Sequence, residues 1–381
     1  MTLSACAIAL LLAAFSLRRY LHWFASLLPE RPSAPDRTRS IAILVAARNE
    51  AHSLPRLLAA LHRLEYPPSL LTFVLVSDAS TDATPRILQD WAASHPRARS
   101  LHLPRRRGKG GALQAALSLA PPSALVAVLD ADTVPAPDSL AWLSGAFDDP
   151  TIGAVSGYLA PANSTATVVS RYAALERWVF HLVTLAGKDR LGANPPAIGA
   201  LCAFRREALE ASGGFPAASA EDICLSMQLA NHGWRSRWLR RAVAREDVPV
   251  TMPAFLQQRQ RWSRGLIASS TSAGRLEDLF VAAGYLDRLV LAAACALSWF
   301  GAIPLWLPAA YLVAPVAATL TALWRARAAN PAAFLAALVI MAFADLYITA
   351  RSTLAHVGGK PLSWAARAPA PVRLVRRQRG A

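Results

Sequence analysis

One pattern recurs through the first third of the chain: an apolar run, a polar cluster, then apolar positions at helical spacing. Residues 41–46 form the first run, followed by Ala47-Arg48-Asn49-Glu50 and a helical pattern through Leu64. Residues 71–76 form the second, ending in Ser77-Asp78-Ala79-Ser80-Thr81-Asp82 before another helical stretch to about Ser94. A short run at 100–103 precedes Arg105-Arg106-Arg107-Gly108-Lys109-Gly110-Gly111 and a helix to Leu119. The run at 126–129 closes in Asp130-Ala131-Asp132. Unbroken apolar runs suit strands buried on both faces. Their repetition with helices predicts an α/β domain built on a mostly parallel sheet. Ligands on such sheets bind beyond the carboxyl ends of the strands, and each polar cluster falls at such an end.

The pattern continues less regularly. A helix is expected over 139–147, a strand over 153–158 and an amphipathic helix over 168–185. Strands at 198–205 and 233–244 flank a helix running from Ala220-Glu221-Asp222 to about His232. Residues 252–272 read as an amphipathic helix at a membrane surface. The two ends differ from the middle. Residues 1–17 are apolar and are followed, not preceded, by Arg18 and Arg19, which argues against a secretory signal and for a membrane helix. Residues 289–324 are apolar for longer than the roughly 20 residues of one span, which implies two short helices broken near Pro304 and Pro308, or one span plus a re-entrant piece. Residues 331–350 form a further span. The expected organisation is an N-terminal transmembrane helix at 1–28, a Pro/Arg linker at 29–40, a catalytic domain at 41–250, interfacial helices at 251–285, transmembrane helices at 286–350 and a basic tail at 351–381. The positive-inside rule puts domain and tail in the cytoplasm, so the C-terminal crossings must be even in number; a literal count gives three.

Composition sharpens this. The chain has 381 residues, 54% of them hydrophobic and 17% charged, with a mean hydropathy of +0.30. That suits one soluble domain with a few membrane helices. The net charge of +16 fits an anionic membrane face or an anionic substrate; no nucleic-acid-binding module accompanies it, so nucleic acid is not an expected partner. The four cysteines have no metal or disulfide spacing, and the eight histidines, His52, His102 and His181 among them, have no ligand spacing.

The chemistry centres on Asp130 and Asp132. Alternate side chains of a strand share a face, so this pair at a strand end sets two carboxylates side by side. A divalent cation bridging them to a diphosphate relieves their repulsion. Individually the other groups have plain explanations. Glu50 could be a first-turn acid, Asp78 and Asp82 helix caps, Glu221 a first-turn acid and Trp262 an interface anchor.

Taken in order, Ala-Arg-Asn-Glu50, the Asp78-x-Ser-x-Asp turn, Gly108-Lys109, Asp130-x-Asp132, Glu221-Asp222 and Gln258-Arg259-Gln260-Arg261-Trp262 resemble the membrane-bound family 2 glycosyltransferases, which include cellulose, hyaluronan, chitin and poly-N-acetylglucosamine synthases. The resemblance covers residues 41–265. It implies a GT-A, Rossmann-like fold and a nucleotide-sugar donor, expected to be UDP-linked. It casts Glu50 and Asp78 as nucleoside contacts, Lys109 and Arg261 at the diphosphate, Gln258 as a further nucleotide-sugar-binding residue and Trp262 as packing at the acceptor end. Asp130 and Asp132 would hold Mg²⁺ or Mn²⁺, and Asp222 would be the general base of an inverting transfer. Ala220 stands where the family often has Thr, and Cys202 falls in the segment expected to line the acceptor pocket. The implied product is a polysaccharide made processively. The alternatives are one transfer onto a lipid, as in ceramide-type glucosyltransferases, and a silent membrane scaffold. The implied setting is the cell membrane, with a glycan or lipid acceptor and membrane lipids as partners.

Overall fold

A computed structural model describes residues 3–218, 220–269 and 286–357. Eight strands form one sheet: β1 Ile41–Ala47, β2 Leu71–Asp78, β3 Ala98–Leu103, β4 Leu125–Asp130, β5 Val134–Pro135, β6 Ile152–Pro161, β7 Leu201–Arg205 and β8 Arg235–Glu246. Their order is β3-β2-β1-β4-β7-β6-β8-β5. The first four pair in parallel, β7 runs antiparallel to β4 and to β6, and β8 is parallel to β6. The half of the sheet formed by β1 to β4 is therefore the parallel half that the apolar runs predict.

The unbroken runs follow from burial on both faces. In β1, Ile41, Ile43 and Val45 pack with Leu54, Leu57 and Leu58 of the helix Leu54–Leu61. Ala42 and Leu44 point the other way, toward Leu113 and Leu117 of the helix Gly108–Leu119. Each such side chain contributes about 1.5–3 kcal/mol on burial. Cys202, expected to line a pocket, instead lies in this second layer, 1% exposed.

Residues 168–185 are not one α-helix. The helix Val168–Val179, capped by Thr167 and Ser170, widens into a π-helical segment, Phe180–Leu185, and continues as Ala186–Leu191. The helix Met252–Ala268 carries the Gln-Arg-x-Arg-Trp element. Residues 270–285 of the expected interfacial segment and 358–381 of the tail lie outside the described residues.

Three described helices are long and apolar enough to cross a membrane: Leu3–Leu27, Trp306–Arg325 and a third over Pro331–Ile348. Asp287–Trp299, with 13 residues, is shorter. The apolar stretch does break near Pro304, since one helix ends at Trp299 and the next starts at Trp306. The first helix packs on the later ones and on the sheet domain. Tyr20 Oη donates to the Ala310 carbonyl at 2.9 Å and Trp23 Nε1 to Thr321 Oγ1 at 3.0 Å. Arg19 pairs with Asp287, which also accepts from Tyr311 at 2.8 Å. Arg325 reaches the carbonyls of Leu182 and Ser26 at 2.7 and 2.6 Å, tying the π segment to both ends of the chain.

Candidate active site

Three parallel strands end side by side at the site. Beyond β1 the chain turns through Asn49, at φ 54°, and beyond β2 through Ala79, at φ 50°. The two turns are cross-linked: Asn49 Oδ1 accepts from Thr81 N at 2.8 Å, and Asp82 accepts from the N–H groups of Ala51 and Thr84 at 3.1 and 3.0 Å. Asp82 thus orders the loops.

Asp78 ends β2, 2% exposed. Its two oxygens accept from the N–H groups of Arg107 and Gly108 at 2.7 and 2.9 Å. It anchors the start of the helix Gly108–Leu119, and so fixes where Lys109 projects. Gly110, one residue on, meets the Gly213–Pro216 turn so closely that a Cβ would sit 1.9 Å from the Pro216 carbonyl oxygen. Gly110→Ala is accordingly expected to cost about 1–3 kcal/mol as backbone is forced apart, read as a lower thermal unfolding midpoint. An unchanged midpoint would remove this contact from the account.

Lys109 is the centre of charge. Its Nζ lies 2.6 Å from Asp130 Oδ1 and 3.2 Å from Glu221 Oε1, and donates to the Gly199 carbonyl at 3.1 Å. Burial alone would depress its pKa, but Asp130, Glu221 and Asp222 outweigh burial and hold it above the ordinary lysine range. Burial pushes the Glu221 carboxyl up, against the pull of Lys109 and helped by Asp222. Glu221 is therefore a partner of Lys109 and more than the helix-start acid its position suggested. Asp222, in the first turn of the helix Glu221–Asn231, accepts from Gly199 N at 3.3 Å and Ile223 N at 2.9 Å.

The Gln-Arg-x-Arg-Trp helix faces these acids across the cavity. Arg259 pairs with Glu176 at 2.6 Å and stacks 4.4 Å from the centre of the Trp262 ring. Arg177, itself paired with Glu246 at 3.1 Å, lies 5.7 Å from the same ring. Cations on the aromatic ring fix its orientation.

One cavity of about 1220 Å³ gathers Glu50, Asp78, Lys109, Asp130, Asp132, Asp222, Arg261 and Trp262 on its wall. Gln258 is not on that wall; it is buried in its own helix packing. The cavity does not stop at the strand ends. It continues between the long apolar helices, where Phe15, Leu312, Ala318 and Leu338 line it.

No group of three or more His, Cys, Asp or Glu side chains able to hold a metal occurs among the described residues. Among the described residues, Asp130 and Asp132 on the cavity wall are two candidate carboxylates for a metal, not a full cage. That donor set suits a hard cation that takes one or two carboxylates and completes its shell with phosphate oxygens and water.

The sequence of residues 38–265, more than half of the chain, matches the family described as "Glycosyltransferase like family 2". This chain belongs to glycosyltransferase family 2. It is an enzyme of that class, with a GT-A catalytic fold and apolar helices on either side. A mannosyltransferase from Pyrobaculum calidifontis, solved with GDP-mannose and Mn²⁺, superimposes with a TM-score of 0.59 at 30% identity, over 87% of this chain and 97% of that one. An N-acetylglucosaminyltransferase of Sinorhizobium fredii is 30% identical over 62% of this chain and 60% of its own. A beta-monoglucosyldiacylglycerol synthase of a Nostoc strain is 30% identical over 59% of this chain and 48% of its own. The chain thus spans about half to three fifths of the length of these curated relatives.

Proposed function

We propose that this family 2 glycosyltransferase moves a sugar from a nucleotide-activated donor to a hydroxyl of a membrane lipid, by a single inverting displacement. Asp222 takes the proton of the acceptor hydroxyl as its oxygen attacks the anomeric carbon. The bond from that carbon to the diphosphate breaks, and the nucleoside diphosphate leaves. Lys109 and Arg261 counter the charge that gathers on the leaving group. Asp130 and Asp132 would hold Mg²⁺ or Mn²⁺, which would neutralise diphosphate charge when bound. Glu50 borders the nucleoside end; Asp78 acts there chiefly by holding the Arg107–Gly108 turn. Trp262 supplies an aromatic face for a sugar ring.

The observation that carries the choice of acceptor is the extension of the cavity between the long apolar helices, where Leu291, Leu312, Ala318 and Leu338 line it alongside Arg19, Asp287, Arg288 and Tyr311. The apolar positions suit acyl or isoprenoid chains, and the charged ones suit a polar headgroup. The bilayer setting is supported by exposed apolar side chains on these helices, such as Leu10, Val313, Leu320 and Phe343, and by Trp299, Trp306 and Trp324 exposed near helix ends. Two C-terminal candidate spans satisfy the even crossing number that a cytoplasmic catalytic domain and tail require. Processive polymer synthesis is the rival reading. It rests on the Gln-Arg-x-Arg-Trp element and remains a distinct outcome of the assay.

The test uses purified, detergent-solubilised protein, Mn²⁺ or Mg²⁺, a membrane-lipid extract, and radiolabelled UDP- and GDP-sugars. Label is expected in the organic-extractable fraction. Label in a long, glycosidase-sensitive chain would replace the lipid reading by polymer synthesis. Chelating the metal with EDTA is expected to stop transfer, and Mn²⁺ to restore it; transfer that persists in EDTA would remove the cation from the reaction.

A further inference from the structure

His181 sits within the π-helical segment Phe180–Leu185, where the wider turn departs from the α-helix on either side. Such turns concentrate at functional positions. The residue is fully buried and borders the same cavity as the catalytic carboxylates. The Trp238 Nε1–H donates to the Gly157 carbonyl at 3.1 Å and is shared with His181 Nδ1 at 3.3 Å. An indole N–H can only donate, so Nδ1 is the accepting nitrogen and the ring hydrogen sits on Nε2. Burial, and then the Arg177 charge, hold the pKa well below the ordinary histidine value, so the ring stays neutral. Nε2–H has no hydrogen-bond partner among the described residues. A buried donor left unmatched is costly, and native proteins retain few of them. Tyr158 and Phe180 stand edge-on to the ring at 5.6 and 5.7 Å between ring centres, and Phe180 is itself partly exposed on the cavity wall.

We propose that His181 is an acceptor-binding residue: its Nε2–H donates to an oxygen of the lipid headgroup, reached when Phe180 swings aside, while the lipid chains lie between the apolar helices. The ligand class is an amphiphile with a hydroxyl or ester oxygen near its headgroup. The proposal rests on the lipid reading above and adds to it a specific contact. His181 positions the acceptor and takes no part in proton transfer.

Two variants separate binding from a structural role. Asn places an oxygen near the Nδ1 position but has nothing at Nε2; Gln places an N–H near Nε2 but no acceptor at Nδ1. The full-length protein is reconstituted in phosphatidylcholine nanodiscs containing a diazirine-bearing diacylglycerol. After irradiation, cross-linked peptides are mapped and unlabelled diacylglycerol is added as competitor. The wild type is expected to cross-link within Trp306–Arg325 or Pro331–Val357, with competition. His181→Asn is expected to need about tenfold more competitor, the loss appropriate to one hydrogen bond, and His181→Gln to stay near wild type. Nucleotide-sugar affinity, measured by calorimetry, should be the same in all three proteins. The reverse order, with Asn tolerated and Gln impaired, would show that His181 serves only as a partner for Trp238 and would overturn the proposal. Equal competition in both variants would overturn it as well, leaving the lipid reading intact. A wild type without competed cross-links would overturn the lipid reading and, with it, this one.

Discussion

Asp222→Asn is expected to lower sugar transfer by about 10³-fold, within the 10²–10⁴ range that a positioned general base contributes. The substitution keeps shape and volume. The Asn carbonyl oxygen can still accept from one of the two N–H groups that Asp222 serves, Gly199 or Ile223. The amide nitrogen cannot accept from the other, a stability cost of about 1 kcal/mol. It also cannot take a proton from an attacking hydroxyl. Nucleotide-sugar affinity should change little, because Lys109 keeps Asp130 and Glu221 as partners. Initial rates with saturating acceptor, set beside calorimetric titration of the donor, separate these effects. A variant within tenfold of wild-type rate would remove Asp222 from the role of base.

Lys109→Met carries the second large effect, and here the loss extends to the fold. Asp130, Glu221 and Asp222 converge on one ammonium group. Removing it leaves three acids facing one another with one apolar chain in their midst. Breaking a buried pair costs about 3–5 kcal/mol. Lys109 keeps 20% of its side-chain exposure, so the lower end, about 3 kcal/mol, is expected. Donor affinity should fall as well, since the role proposed for Lys109 is to counter the diphosphate charge. The unfolding midpoint should recover toward acid, where the carboxylates take up protons and their repulsion fades. A midpoint drop that is identical at every pH would mean that lost packing, not charge, is the cause.

Much of this site was legible because parallel strands advertise themselves. β1, β2 and β4 are buried on both faces, so their sequences are continuous apolar runs, and the first polar residues after them are site residues. The order of Glu50, Asp78, Lys109, Asp130 and Asp222 along the chain therefore maps onto neighbouring strand and helix ends. Other features leave no periodic trace. β5 is two residues long, too short for alternation. The antiparallel insertion of β7 between β4 and β6 depends on pairings far apart in sequence. From sequence Glu221 reads as a helix-start acid because a first-turn position explains an acid equally well; only the 3.2 Å approach of Lys109 distinguishes the two. Gln258 lies one turn before Arg261 and Trp262 on the same face of the helix, yet it is buried and off the cavity wall; a motif does not record how deeply a side chain is packed. His181 escaped for a different reason. Its signal is a widened helical turn and an unmatched nitrogen, and neither is a pattern of residue types.

The bonds between the two ends of the chain also carry a consequence for how the protein is made. The acceptors of Tyr20 and Trp23 lie 290 and 298 residues downstream. At translation rates of about 5–20 residues per second, the ribosome needs roughly 15–60 s to supply them. Through that interval the first helix carries a phenol, an indole and a guanidinium lacking their final partners. The sheet, complete at β8, has time to fold and to receive one side of that helix before those groups are matched. Assembly is therefore closed by the part of the chain synthesised late, and a product that stops short of Thr321 would hold a finished sheet against a first helix still missing the partner of Trp23.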